Sequence, residues 1–270
     1  MDKCFYPTSG LRQGSVIRPL IFNLYIDDLS QNLNKSFIGC NVSGTLINHV
    51  NYADDQVLVA PSMKGLQKLI DLCQTYSQDN DIMFNVQKTK CMHFNVKRYI
   101  NHEVKVTLYG ESIEWVTDFS YLGCIVTNTM SDDIEMKCQY RYICAKSNTI
   151  TRKFFSCNEN IKIKLFNVFC TSMYGGALWC TYLARTYNRI RVCYNNAFRF
   201  ILGLPIWCSA SEMFATRFVL SFKELLRKKQ YILMTAVQQS NNSLVKKCTN
   251  YLYTNTKLWS TWRNSLYSAN

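Results

Sequence analysis

Asn48-His49-Val50-Asn51-Tyr52-Ala53-Asp54-Asp55-Gln56-Val57-Leu58-Val59-Ala60 sets two apolar, β-type runs on either side of a pair of adjacent carboxylates. The pattern predicts a hairpin with Asp54 and Asp55 at or next to its tip. Neighbouring like charges repel, and a tight turn is built more easily from Asn-Gly or Asp-Gly. Twin acids on a rigid hairpin make sense where cations sit. Mg²⁺ prefers carboxylate and phosphate oxygens and keeps several waters. Two such ions about 3.5–4 Å apart can clamp the attacking and leaving oxygens of a phosphoryl transfer. The plainer alternative is a polar turn with two solvated acids.

Three further stretches accompany the hairpin. Upstream lies Gly10-Leu11-Arg12-Gln13-Gly14-Ser15-Val16-Ile17-Arg18-Pro19-Leu20-Ile21-Phe22; downstream come Asn85-Val86-Gln87-Lys88-Thr89-Lys90 and Phe119-Ser120-Tyr121-Leu122-Gly123. In this order and spacing the four resemble the palm of reverse transcriptases, most closely those of non-LTR (LINE-type) retrotransposons. The likeness covers residues 5–127 and continues more loosely through Met173-Tyr174-Gly175-Gly176-Ala177-Leu178-Trp179 and Arg199-Phe200-Ile201-Leu202-Gly203.

The resemblance implies an RNA-directed DNA polymerase. Asp54 and Asp55 become the catalytic acids and metal ligands, Asp54 the surer of the two, for two Mg²⁺ ions with Mn²⁺ as an alternative. Arg12, Gln13 and Gly14 would lie beside the incoming deoxynucleoside triphosphate and the template. Lys88, with Lys90 as runner-up, would stand at the phosphates, and Tyr121, Leu122 and Gly123 would form the primer grip. RNA template, DNA primer and deoxynucleoside triphosphates are the implied partners; the likeness carries no expectation about oligomeric state. In the family a further carboxylate lies on a strand well before the Gln-Gly loop, and only nine residues precede Gly10. The expected fold class is therefore α+β: a partial palm, an antiparallel sheet with helices packed on one face, without fingers and without the first Asp motif, then a mostly helical thumb and connection. No polymerase activity is expected of this chain alone. A non-catalytic nucleic-acid-binding remnant is the alternative, with a pseudogene fragment as a third possibility. An RNA-dependent RNA polymerase would more often carry Gly before the acid pair, whereas a group II intron maturase shares this palm.

Composition supports a folded chain. Of 270 residues, 48% are hydrophobic and 14% aromatic, which argues against disorder. The net charge of +13 is uneven: residues 131–270 hold 20 Lys/Arg against 6 Asp/Glu, while residues 1–130 are close to balanced. A basic half interleaved with aromatics suits a polyanion. The 13 cysteines are odd in number and contain no Cys-x-x-Cys, so buried thiols in a reducing compartment are expected, not a disulfide scaffold. No leader and no apolar run of about 18 residues is evident, so the expectation is an intracellular protein, nuclear or cytoplasmic, not secreted and without a membrane span.

Three regions are expected: a palm segment over 1–128, a helical thumb-like region over 129–205 and a basic helical extension over 206–270. Pro19 suits the start of a helix to Asn34, with Leu20, Ile21, Phe22, Leu24, Leu29 and Leu33 on its apolar side. Arg18 stands where the family usually has a capping Ser, a departure worth about 1 kcal/mol. Asp27 and Asp28 mimic the acid pair but fall in this helix, where neighbours point about 100° apart and do not converge on one ion. Ser62 reads as the cap of a helix to Gln78. Short strands are expected at 82–84, 91–94, 104–108, 113–116 and 119–126, the last with Gly123 at a bulge. Helices follow near 132–155, 159–174, 187–202 and 220–239; Ser131-Asp132-Asp133 gives the first a start signal and an acidic first turn, and Gly203 is a stop signal. The last thirty residues carry no clear assignment.

Overall fold

The structure, a computed structural model, describes residues 17–42, 44–94, 105–255 and 257–267, without the side chains of Arg18, Pro19, 250–255 and 264–267. These residues form two compact units. The first holds 17–91 and 105–115, the second 92–94 and 116–267. Helices and short strands mix in the first unit, and helices dominate the second, which makes the chain an α+β protein.

In the first unit, helix α1 (Arg18–Lys35) packs against α2 (Met63–Asp79). Phe22, Ile26, Leu29 and Leu33 recur at i, i+4, i+7 and i+11, and this stripe meets Leu69, Cys73 and Tyr76 of α2. The apolar face is thus narrower than expected: Leu20, Ile21 and Leu24 lie off the stripe and are exposed. Helix α1 begins one residue earlier than expected, with Ile17 at the cap position, Pro19 within the first turn and no side-chain cap. Helix α2 starts as the sequence indicates, Ser62 Oγ accepting from Gly65 N at 3.1 Å.

Between the helices run two hairpins, β1 (Cys40–Val42) with β2 (Thr45–Ile47) and β3 (His49–Tyr52) with β4 (Asp55–Leu58). After α2, β5 (Lys90–Cys91) pairs in parallel with β8 (Glu114–Trp115), and β6 (Thr107–Leu108) pairs with β7 (Glu111–Ser112). Where one antiparallel sheet was expected, the described strands form two-stranded ladders, one of them parallel. Strands of two to four residues supply few backbone pairs, and here side chains carry the layer. A second face of α2, through Ile70, buries Cys91, Val106, Leu108 and Ile113. Residues 82–84, expected as a strand, have no ladder partner among the described residues.

The second unit opens with a hairpin, β9 (Asp118–Tyr121) and β10 (Cys124–Thr127). There follow α3 (Asp133–Lys153), α4 (Glu159–Phe169), a 3-10 turn (Tyr174–Ala177), α5 (Ala184–Leu202), α6 (Ala210–Ala215), α7 (Phe222–Gln239), α8 (Ser243–Asn255) and α9 (Lys257–Tyr267). Among the described residues the 206–270 stretch therefore holds four helices, two of them in the part that sequence patterning left unassigned. An aromatic core of Phe166, Tyr194, Phe198, Phe214 and Phe222 joins α4, α5, α6 and α7. Tyr194 is fully buried and donates its hydroxyl to Leu220 O at 2.9 Å, and burial raises its pKa. Gly203 ends α5 in the left-handed conformation, φ +68°. A capping box starts α7: Ser221 N donates to Glu224 Oε2 at 2.7 Å, and Ser221 Oγ accepts from Glu224 N. Trp262 of α9 is buried and donates Nε1–H to Ala177 O at 2.9 Å. Among the described residues no helix is long and apolar enough to cross a membrane.

Candidate active site

The β3–β4 register pairs Tyr52 with Asp55, leaving Ala53 and Asp54 as a two-residue turn. Ala53 takes φ +51°. Two-residue hairpin turns need positive φ at the first central position to match strand twist, and Gly usually supplies it. With alanine there the turn is strained by about 1–2 kcal/mol. The expected tip therefore exists: Asp54 occupies the turn, and Asp55 is the first residue of the returning strand.

The hairpin has two unlike faces. On one, Asn51 and Gln56 are directly paired across the ladder and meet the helices. Asn51 Nδ2 donates to Ser30 Oγ of α1 at 3.1 Å, and the Cys73 thiol of α2 lies 3.8 Å from Gln56 Oε1. Asn51 Oδ1 and Gln56 Nε2, an acceptor and a donor, are buried without a hydrogen-bond partner among the described residues. Val50 and Tyr52 point the other way and are exposed, Tyr52 by 63%. Asp55, opposite Tyr52, shares that open face, and both Asp54 and Asp55 are exposed. Neither carboxylate enters an ion pair among the described residues.

The base of the hairpin is fixed to α1. Asn48 is buried and donates Nδ2–H to Leu33 O at 2.6 Å. That commits the amide nitrogen, so its oxygen accepts from His49 Nδ1 at 2.7 Å. Burial holds His49 below the usual imidazole range, which keeps it neutral at pH 7.

Lys88 lies in a turn built by Asn85. Asn85 Oδ1 accepts from Lys88 N at 3.0 Å, and Asn85 O accepts from Thr89 N and Thr89 Oγ1 at 3.0 and 2.8 Å. The Lys88 side chain is exposed and free of ion pairs among the described residues. Lys90, the other candidate, is engaged with Glu114, an ion pair that braces the β5–β8 ladder. Asp27 and Asp28 are exposed on α1, in line with their reading as surface charges. Arg12, Gln13 and Gly14 lie outside the described residues. Among the described residues no third His, Cys, Asp or Glu gathers with the acid pair into a cluster able to hold a metal ion.

Tyr121, Leu122 and Gly123 belong to the second unit. The run 119–126, read as one strand, is instead the β9–β10 hairpin, with Leu122 (φ +47°) and Gly123 (φ +79°) as its turn. Two successive positive φ values define a type I′ turn; Gly suits the second position, and Leu at the first is strained. The hairpin rests on α3 through a buried acid. Glu135 Oε2 accepts from Ile125 N at 3.0 Å, and Oε1 accepts from Gln139 at 2.9 Å.

Several residues of the site carry no motif signal. Asn51, Gln56, Asn48 and Ser30 hold the hairpin on its helices, yet only one clue marks them: polar residues at alternate positions that a half-buried strand would fill with apolar ones.

Comparison with known proteins follows the same stretch. The family described as reverse transcriptase (RNA-dependent DNA polymerase) matches residues 2–126. A segment of 93 residues is 34% identical to the retrovirus-related Pol polyprotein from the type-2 retrotransposable element R2DM of Drosophila melanogaster, covering 34% of this chain and 8% of that protein. Over 224 residues the chain is 23% identical to the probable RNA-directed DNA polymerase from transposon BS of the same organism, covering 76% of this chain and 23% of that protein. The chain thus spans less than a quarter of the length of these relatives. Residues 2–126 are similar to reverse transcriptases, and the two relatives named belong to a retrotransposable element and a transposon.

Proposed function

We propose that this chain carries part of the polymerase centre of an RNA-directed DNA polymerase, with Asp54 and Asp55 as its metal-holding acids. One observation carries the reading: inside the segment matched to the reverse transcriptase family, a hairpin exposes Asp54 at its two-residue turn and Asp55 beside it on the open face. The donor chemistry fits Mg²⁺ in part. Asp54 and Asp55 offer exposed carboxylate oxygens with no competing cation among the described residues, and the remaining ligands would be water, phosphate or another carboxylate. Bound there, divalent ions would neutralise phosphate charge and favour the alkoxide form of a primer 3′-hydroxyl.

The chain's own residues have distinct tasks. The Asn48 and Asn51 hydrogen bonds to α1 hold the hairpin still, so that the acids need not reorganise when charge develops. Tyr52 offers a flat exposed ring beside Asp55, suited to a nucleoside face. Lys88 is the exposed cation for the phosphates, since Lys90 is tied to Glu114. Tyr121, Leu122 and Gly123 are assigned to the primer, on a turn whose strain fixes its shape. The partners are an RNA template, a DNA primer and deoxynucleoside triphosphates in an intracellular setting, and the free thiols described suit a reducing compartment. Residues 1–128 act as palm, 129–205 as thumb and 206–270 as a basic extension.

The 270-residue chain assayed by itself is expected to be without polymerase activity, because among the described residues no third acid joins Asp54 and Asp55 to supply the charge such a site uses. The test is direct. Mn²⁺ binding, followed by water-proton relaxation, should weaken at least several-fold in Asp54→Ala, while primer extension on an RNA template stays at background for both proteins. Binding indifferent to Asp54→Ala would refute the metal assignment; extension abolished by Asp54→Ala would refute the inactivity.

A further inference from the structure

We propose that the groove between α3 and α5 is a channel for single-stranded nucleic acid, separate from the acid-bearing hairpin. The groove encloses about 880 Å³ within the second unit. Its walls are basic. Arg185, Arg189 and Arg199 line it from α5. Among the described residues no Asp or Glu lines it. Three cations without an opposing acid there form a positive field along the groove.

The floor is not basic. Tyr140, Val192 and Phe200 face the same space, and Phe200 is 52% exposed. A duplex presents phosphates and sugars to a protein surface and would leave such a floor without a partner. A single strand has both parts: phosphates for the arginines, and unstacked bases for the aromatic and aliphatic floor. The cations are held in place for the task. Arg189 lies over the Tyr140 ring at 4.7 Å, and Arg199 donates to Cys208 O (2.8 and 3.2 Å) and to Asn196 Oδ1 (2.8 Å). Asn148 and Asn188, both exposed on the walls, carry the donor and the acceptor that base edges require. From Arg185 to Arg199 the helix rises about 21 Å, a span of several nucleotides. An acidic amphipathic helix could meet the arginines and the floor but would leave the asparagine amides unmatched, so the single strand is the better fit.

The proposal is independent of the metal reading, and the experiment keeps them apart. Fluorescein-labelled 12-nucleotide oligo(U) and oligo(dT) are titrated with the full chain, binding being followed by anisotropy between 50 and 300 mM KCl. Arg185→Gln with Arg189→Gln should weaken binding about tenfold or more at 100 mM. The log–log salt slope should flatten by about 1.4, since each phosphate left without its arginine removes about 0.7. Phe200→Ala should weaken binding about 5- to 100-fold with the slope unchanged, the signature of a missing base stack. Adding EDTA to remove divalent ions should change nothing. Arg185 is exposed in the first turn of α5, so Arg185→Gln alone keeps the test valid should the double variant unfold by near-UV circular dichroism. Unchanged affinity in a folded arginine variant would overturn the proposal. So would a blunt 12-base-pair duplex competing as well as the single strand, or an acidic helical peptide binding where the oligonucleotides do not.

Discussion

Asp132 ties the start of α3 to a chain segment 48 residues later, and its replacement tests how far the second unit depends on that clamp. Its Oδ2 accepts from Cys180 N and Thr181 N, both at 2.7 Å, while its own N–H donates to Thr181 O at 2.7 Å. Asp133 Oδ1 adds Leu183 N at 3.1 Å. In Asp132→Ala two half-buried N–H groups lose a charged acceptor. Each such donor costs about 1–3 kcal/mol when left unmatched. Cys180 and Thr181 are partly reached by water, so the lower end applies, giving about 2–3 kcal/mol in all. For a unit of this size that is a fall in Tm of roughly 4–12 °C. Asp132→Asn keeps an acceptor oxygen in place and should cost less than about 1 kcal/mol at pH 7.

The same pair of variants fixes a pH dependence. Burial raises the pKa of Asp132, against the opposing backbone hydrogen bonds from Thr181 and Cys180, with the Asp133 and Glu135 charges adding to the rise. The folded chain then holds this proton more tightly than the unfolded chain does, so stability falls as pH climbs through the interval between the two values. Below the unfolded value near 3.8 and above the raised folded value the term is flat. Urea unfolding at pH 4 to 7 of the native chain and of Asp132→Asn isolates it together with its coupling to Asp133 and Glu135, because carboxylates not coupled to Asp132 cancel in the difference. The native chain should gain on the Asn variant as pH falls. An alanine variant within about 0.5 kcal/mol of native, less than one hydrogen bond, or a difference moving the other way with pH, would refute the clamp.

Other outcomes follow from single positions. Ala53→Gly removes a left-handed alanine at a cost of about 1–2 kcal/mol and adds glycine's unfolded freedom, so a gain of about 0.5–1 kcal/mol in urea unfolding is expected; destabilisation would mean the turn is not strained. Gly175→Ala places a Cβ 3.0 Å from Cys124 Sγ and 3.7 Å from Glu135 Oε1, and should cost about 1–3 kcal/mol. Adding Cys124→Ala should restore most of that stability, and failure to do so would locate the strain elsewhere. Burial pushes the Cys193 thiol up to about 12, so iodoacetamide at pH 8 should leave it unmodified until the chain unfolds, as peptide mass mapping would detect.

What the sequence makes legible is local. Ser62 caps α2, the stop at Gly203 ends α5 and the alternation around Asp54 makes a hairpin, because each signal acts within a few residues of its cause. What it hides is long-range. Asp132 and Asp133 read as an acidic start to α3, yet Asp132 makes no cap hydrogen bond and both carboxylates receive N–H groups from residues 180–183. The apolar run 119–126 reads as one strand because Leu122 gives no warning of positive φ; only its hairpin pairing compels it. Leu20 and Leu24 read as core because composition, unlike helical phase, does not say which side of α1 meets α2.

The hairpin shows how a hidden constraint can serve the legible one. Asn51 and Gln56 look misplaced on the face that meets the helices, and among the described residues Asn51 Oδ1 and Gln56 Nε2 remain unmatched. Shifting the ladder by one residue would turn them outward, but it would turn Tyr52 and Asp55 inward with them, since side chains alternate faces along a strand. Burying an unpaired carboxylate costs far more than burying an amide that keeps one hydrogen bond. The register seen is therefore the cheaper error, and Asp55 itself enforces it. In Asp55→Val that penalty disappears and register exchange should rise, visible as broadened amide resonances along β3 and β4, whereas Asp54→Val, in the turn and on neither face, should leave them sharp.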